Sequence, residues 1–202
     1  MTFATSLRHV LRQDPDVIMV GEVRDIETAR MAIQSSLTGH LVFSTLHTND
    51  SAGAVSRLLD LGVEPYLASS SLIAILAQRL VRRVCPDCKK AMEPSARDLR
   101  ALGLLGNGDD APAPRNSEEF FVGAGCEKCF QTGYRGRTGI YELLLISEQI
   151  QDMIYRRETA GAIKKNALEA GMQTLRMDGA RKALAGITTV SEVLRVTQAD
   201  VI

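Results

Sequence analysis

The sequence predicts an α/β fold, and three observations carry that prediction. Two short apolar runs, "VIMV" at 17–20 and "HLVFST" at 40–45, are each followed by a segment whose apolar residues recur at helical spacing. A third run, "IYELLLI" at 140–146, follows a glycine-punctuated stretch and leads into a tail that is helical in pattern from Ser147 onward. Strands alternating with helices imply a parallel, three-layer arrangement. A chain of 202 residues with 45% hydrophobic content can bury a core, as one domain or two small ones.

The elements follow in order. Phe3, Leu7, Val10 and Leu11 recur at helical spacing until Pro15 disfavours helix at Asp14, so a turn leads into "VIMV". Asp25 is an N-cap candidate for a helix that turns Ile26, Ala29, Ile33 and Leu37 to one side and stops at Gly39. After "HLVFST", Asp50 or Ser51 caps a helix carrying Val55, Leu58 and Leu59, with Gly62 past its end. Pro65 then opens a longer helical stretch through Leu67, Leu72, Ile75, Leu76 and Leu80, which would deliver "CPDC" on a helix exit. Ser95 with Asp98 resembles a capping box, and residues 106–117, "GNGDDAPAPRNS", read as a polar linker. "EEFFVG" has strand character and "QTGYRGRTG" reads as a turn. The tail divides into about four short helices, capped at Ser147, Thr159 and Thr189 and stopped at Gly171 and Gly186, as in a small helical bundle.

Lys+Arg and Asp+Glu both total 24, so no global field favours nucleic acid or an anionic membrane. Arg79, Arg82, Arg83, Lys89 and Lys90 cluster near two of the cysteines. With 4% aromatic content they read as a solvated or protein-docking face, and no nucleic acid is expected. The N-terminus lacks a leader pattern, and no apolar run approaches the roughly 18 residues that span a bilayer, which places the expected compartment in the cytoplasm.

All four cysteines fall in two Cys-x-x-Cys pairs, Cys85/Cys88 and Cys126/Cys129. A two-residue gap lets both thiolates of a pair point at one centre, so two pairs can enclose a tetrahedral ion, with Zn2+ the default. Four protein ligands leave no open position, which makes the role structural. Unliganded thiols, or a redox pair in "CPDC", are the competing reading.

"VIMVGEVRD" ends a strand on Glu22 and Arg24. In phosphoryl transfer such an acid orients Mg2+ through its waters or positions the attacking water, while arginines neutralise charge on the γ-phosphoryl oxygens. Arg8 and Arg12, one helical turn apart, Arg24 and Arg57 suit that task, although capping and ordinary surface ion pairs explain each singly. His40 and His47 flank the second strand, with Ser44, Thr45, Thr48 and Asn49 crowded at its end. In open α/β sheets ligands bind off the carboxyl ends of strands, where Glu22 and His47 would both lie. His9 reads as a surface residue.

Taken in order, "LRHVLRQDPDVIMVGEVRDIETA", "TGHLVFSTLHTNDS", the cysteine pairs and "GYRGRTGIYELL" resemble the secretion ATPase superfamily, specifically the type II secretion and type IV pilus assembly ATPases. The ending "GMQTLRMDGARKALAGITTVSEVLRVT" is most similar to the general secretion pathway protein E branch, and the resemblance covers essentially the whole chain. It implies a partial RecA-like P-loop domain in which Glu22 is the Walker B acid and residues 38–49 are the His box, with His47 near the γ-phosphate. By the same resemblance Arg8, Arg12, Arg24, Arg57 and His40 lie around the nucleotide or subunit interfaces. The tetracysteine subdomain favours assembly-type enzymes over retraction motors.

The resemblance further implies a hexameric motor, peripheral to the inner membrane through secretion or pilus platform proteins, that uses Mg2+ and ATP. The expected division is an ATPase core at 1–84, a zinc subdomain at 85–137 and a C-terminal strand-and-helix subdomain at 138–202. No Gly-Lys dipeptide occurs, so the Walker A loop is missing and the chain is expected to be the C-terminal portion of a longer ATPase, inactive alone. A type IV pilus assembly role, or a non-catalytic zinc-stabilised interaction module, are the alternatives.

Overall fold

β1 (Val17–Val20) and β2 (Leu41–Ser44) pair in parallel, Val17 opposite Leu41 through Val20 opposite Ser44, in a computed structural model that describes residue 9 and residues 13–105 and 120–198. α1 (Ile26–Leu37) makes the crossover between them. It starts where Asp25 accepts the Thr28 N–H at 2.8 Å and ends before Gly39, whose φ of 104° is a left-handed conformation that glycine tolerates. One face of the strand pair is covered: Ile18 and Val20 are buried with Ala32, beside Met31 and Val42. Val17, Met19, Leu41 and Phe43, on the other face, are exposed, so the expected three layers reduce to two among the described residues.

α2 (Ser51–Asp60) begins at Asp50, which accepts the Gly53 N–H at 2.8 Å, and ends at Gly62. α3 (Pro65–Ser71) corrects the expectation of a longer helix. The Ser70 and Ser71 hydroxyls donate back to the carbonyls of Tyr66 (2.7 Å) and Leu67 (2.6 Å), competing with continuation of the helix. The chain then becomes β3 (Ala74–Val84), where exposure alternates from Ala74 to Val81 with the two-residue period of a strand. Its partner is β6 (Tyr134–Leu145). The Ile146 N–H donates to Ile73 and the Cys85 N–H to Gly133, so the two strands run antiparallel. Pairing of Leu/Val-rich segments overrides a helical spacing that two leucines and an isoleucine only imitated. β6 also absorbs most of "QTGYRGRTG", since the strand starts at Tyr134 and the turn is confined to the residues before it.

By internal contacts the chain divides into two units: Met1–Leu76 with Leu143–Met172, and Ala77–Glu142 with Gln173–Ile202. The first unit's core joins Ile33 of α1, Val55 and Leu58 of α2 and Ala68 of α3 to Leu144, Ile150, Ile154 and Ile163. The last three come from α5 (Glu148–Tyr155) and α6 (Ala160–Glu169), capped by Ser147 and Thr159.

In the second unit β4 (Lys89–Met92) pairs antiparallel with β5 (Phe120–Gly123). α4 (Ala96–Ala101), α7 (Leu175–Leu184) and α8 (Val190–Val196) complete it. Leu99, Leu102 and Phe120 pack with Ala183, Val190 and Val193. Buried Glu192 accepts two hydrogen bonds from the Arg195 guanidinium (2.9 Å each), one from the Arg82 guanidinium (2.7 Å) and one from the Arg82 N–H (3.0 Å). These donors hold its carboxyl far below the usual carboxylate range, against the opposing effect of burial. The helix expected over residues 3–11 and the linker at 106–117 lie outside the described residues, apart from His9. No helix of the described residues is long and apolar enough to cross a membrane.

Candidate functional site

Parallel pairing of β1 and β2 puts their carboxyl ends side by side, and the two exits are tied together. The Val23 N–H donates to the Thr45 carbonyl at 3.0 Å, and the Thr45 hydroxyl donates to the Gly21 carbonyl at 2.6 Å. This brings Glu22 and His47 within reach: His47 Nε2 lies 3.2 Å from Glu22 Oε2. Arg24 Nε meets the same oxygen at 2.6 Å. The Arg24 guanidinium holds the Glu22 carboxyl below the usual range, opposed by desolvation and assisted by His47. Glu22 is therefore an anion at neutral pH, while Arg24 and His47 are mostly exposed and free to turn.

The loop that carries His47 is anchored just beyond it. Asp50, the cap of α2, lies 3.5 Å from Lys164 of α6, and Ser51 donates to the Met172 sulfur at 3.9 Å. Lys164 and Met172 carry no sequence signal for this role, because the contacts span more than a hundred residues.

The other sequence-predicted residues stand apart from this trio. His40 serves the end of α1: its Nδ1 lies 2.9 Å from the Ser35 carbonyl and 3.1 Å from the Thr38 hydroxyl. With Nδ1 donating to Ser35, Nε2 is left as the acceptor. Arg57 is exposed on α2, and Arg8 and Arg12 lie outside the described residues.

The four cysteines converge. Cys85 leaves β3 and Cys88 precedes β4, while Cys126 and Cys129 flank a single 3-10 turn (Glu127–Cys129) between β5 and β6. All four Sγ atoms lie within 4.8 Å of one another. Cys85–Cys126 and Cys88–Cys129 are each 3.9 Å apart and Cys126–Cys129 is 3.7 Å. A tetrahedron of metal–sulfur bonds near 2.3 Å has edges of about 3.8 Å, so this donor set fits a zinc-sized ion without rearrangement.

Backbone N–H groups from Cys126 (3.2 Å) and Gly133 (3.3 Å) donate to the Cys129 sulfur. Burial pushes the Cys88 thiol up to about 12. Burial acts in the same sense on Cys129, but its backbone N–H donors prevail and bring it down to about 6. Asp87 lies between Lys128 (2.5 Å) and Arg135 (3.6 Å) at the rim. Four soft donors with no open position can hold an ion but leave no place for a substrate.

These features define a class: an α/β protein with an acid, an arginine and a histidine gathered where parallel strands end, and a separate four-cysteine centre able to hold a metal ion. The chain belongs to the type II/IV secretion system protein family, which it matches over residues 1–195. It is 51% identical over 99% of its length to type II secretion system protein E of Pseudomonas aeruginosa, of which it covers 38%. It is also 51% identical to the type II secretion system ATPase E of Vibrio cholerae (98% of this chain, 38% of that one). With the type IV pilus assembly ATPase PilB of Thermus thermophilus it shares 51% identity over 98% of this chain and 22% of the relative. The chain thus spans about two fifths of the type II relatives' length, and less of PilB.

Among solved structures it is similar to the pilus retraction motor PilT with bound ADP, at a TM-score of 0.65 and 24% identity over 98% of this chain and 44% of that one. The Legionella pneumophila ATPase DotB gives 0.62 and 22%, over 96% and 42%. At these identities the likeness speaks for the fold.

Proposed function

We propose that this sequence is the C-terminal part of a cytoplasmic, hexameric secretion ATPase that couples ATP hydrolysis to type II secretion. The observation that carries the reading is the convergence of His47 and Arg24 on Glu22 at the carboxyl ends of β1 and β2. In this reading Glu22 is the Walker B acid of a RecA-like core and orients the attacking water, its negative charge maintained by Arg24. His47 and Arg24 are exposed enough to turn from the carboxylate toward the γ-phosphoryl oxygens as charge develops there. Arg8, Arg12, Arg57 and His40 belong to nucleotide or subunit contacts. Mg2+ and ATP are held by the complete enzyme, because no Gly-Lys dipeptide is present to supply a phosphate loop.

Zn2+ on Cys85, Cys88, Cys126 and Cys129 is structural, which supports a division into core (1–84), zinc subdomain (85–137) and C-terminal helical subdomain (138–202). The partners of this reading are further copies of the enzyme and an inner-membrane platform. The names of the relatives support type II secretion and type IV pilus assembly alike.

The test is a chimaera in which this sequence replaces the matching region of the Pseudomonas aeruginosa relative. It should hydrolyse ATP, and Glu22→Gln should lower kcat on the order of a hundredfold, the scale of losing a positioned acid–base group. His47→Ala should lower it less. An active chimaera indifferent to Glu22→Gln would refute the assignment. The chain alone should show no tight Mg·ATP binding by calorimetry. A non-catalytic, zinc-stabilised interaction module is the second reading, favoured by the missing phosphate loop; it predicts capture of full-length ATPase subunits by a chain that never turns over ATP.

A further inference from the structure

We infer that Gly133 is the positioning residue of the four-cysteine centre, joining the two cysteine pairs and setting how tightly they hold a metal ion. The inference rests on the reading of this centre as a metal site. Gly133 is the one residue whose backbone engages both pairs. Its N–H donates to the Cys129 sulfur at 3.3 Å, and its carbonyl accepts the Cys85 N–H at 2.9 Å. A rotation at this residue would therefore move a ligand of each pair.

Two further observations show why the position is glycine. Its φ is 75°, in the left-handed region, and its Cα side is pressed against Gly123 at the end of β5. A Cβ on Gly133 would sit 2.5 Å from the Gly123 carbonyl oxygen, and a Cβ on Gly123 would sit 1.9 Å from the Gly133 carbonyl oxygen. Neither obstacle is a flexible side chain, so the backbone itself would have to part. The two glycines let β5 and the start of β6 approach closely enough that sulfur atoms from distant parts of the chain stand at 3.7–3.9 Å before any ion is bound.

Hydrogen bonds to ligating sulfur atoms orient them and spread their charge, and losing such outer partners costs ten- to a hundredfold in metal affinity. Gly133→Ala and Gly123→Ala should therefore weaken zinc affinity by about that factor with all four cysteines present. Gly136→Ala is the matched control, since Gly136 has nearly the same φ, 74°, but nothing within 4 Å of its Cβ position. It carries the same backbone strain without the collision.

The experiment is zinc competition against a chromophoric chelator on the full chain, with Co2+ substitution to read the visible bands of a tetrahedral thiolate site. The expected result is one ion per chain in the parent, weakened affinity and altered Co2+ bands in G133A and G123A, and parent-like values in G136A. Parent-like affinity in G133A and G123A, or equal weakening in G136A, would overturn the positioning role. Failure of the parent chain to bind any ion would instead overturn the metal reading, so the two failures are distinguishable.

Discussion

Replacing Glu192 by Gln isolates the charge of one buried carboxylate while keeping its shape. The wild-type side chain accepts four hydrogen bonds, three from guanidinium groups. A hydrogen bond to a charged group contributes about 1.5–3 kcal/mol against about 0.5–1.5 for a neutral one, so each guanidinium bond stands to lose on the order of 1 kcal/mol. Arg82 and Arg195 are 47% and 56% exposed, and water recovers part of that loss. The net expectation is about 2 kcal/mol. With a urea m-value near 2 kcal/mol per molar, the midpoint should fall by about 1 M.

The pH dependence gives an independent check. The folded carboxyl lies far below its ordinary value, so its contribution is full above the unfolded value near 4.3 and disappears as pH falls through the folded one. The gap between wild type and Glu192→Gln should therefore be widest at pH 7 and narrower at pH 3. Equal midpoints at pH 7, or a gap of the same size at both pH values, would refute the reasoning.

Removing metal with a chelator should loosen the β4–β5 hairpin, whose ends are tied to the cysteine pairs, and hydrogen exchange at residues 89–92 and 120–123 should accelerate while α5 and α6 keep their protection. Lowering the pH should release the same ion, because protons compete for the thiolates, and a zinc-release titration that ignores pH would count against thiolate ligation. Asp50→Ala removes both the cap of α2 and the partner of Lys164, and should cost about 1–2 kcal/mol in urea unfolding; no change would mean the cap is idle.

Local features were the most legible in sequence. Asp25, Asp50, Ser95, Ser147, Thr159 and Thr189 all accept the N–H expected of a helix cap, because a cap is decided within three residues. The cysteine cluster was legible for a similar reason, since spacing within each pair already limits where the sulfurs point. Residues 74–84 were misread because their partner strand lies some sixty residues away, and helical spacing cannot reveal a pairing made elsewhere. The same distance hid Glu192, whose partner Arg82 is 110 residues earlier, and Lys164 behind Asp50. Gly133 stood inside a quoted motif, but which atoms it bridges depends on where β5 lies.

The uncovered face of β1 and β2 also bears on how the chain behaves at the bench. Val17, Met19, Leu41 and Phe43 project from a short parallel pair whose two outer edges have no neighbour among the described residues, so sticky side chains and unsatisfied backbone groups share one small area. Concentrated samples will self-associate there, reversibly at first. Dilution and a trace of mild detergent are the sensible starting conditions for every measurement above.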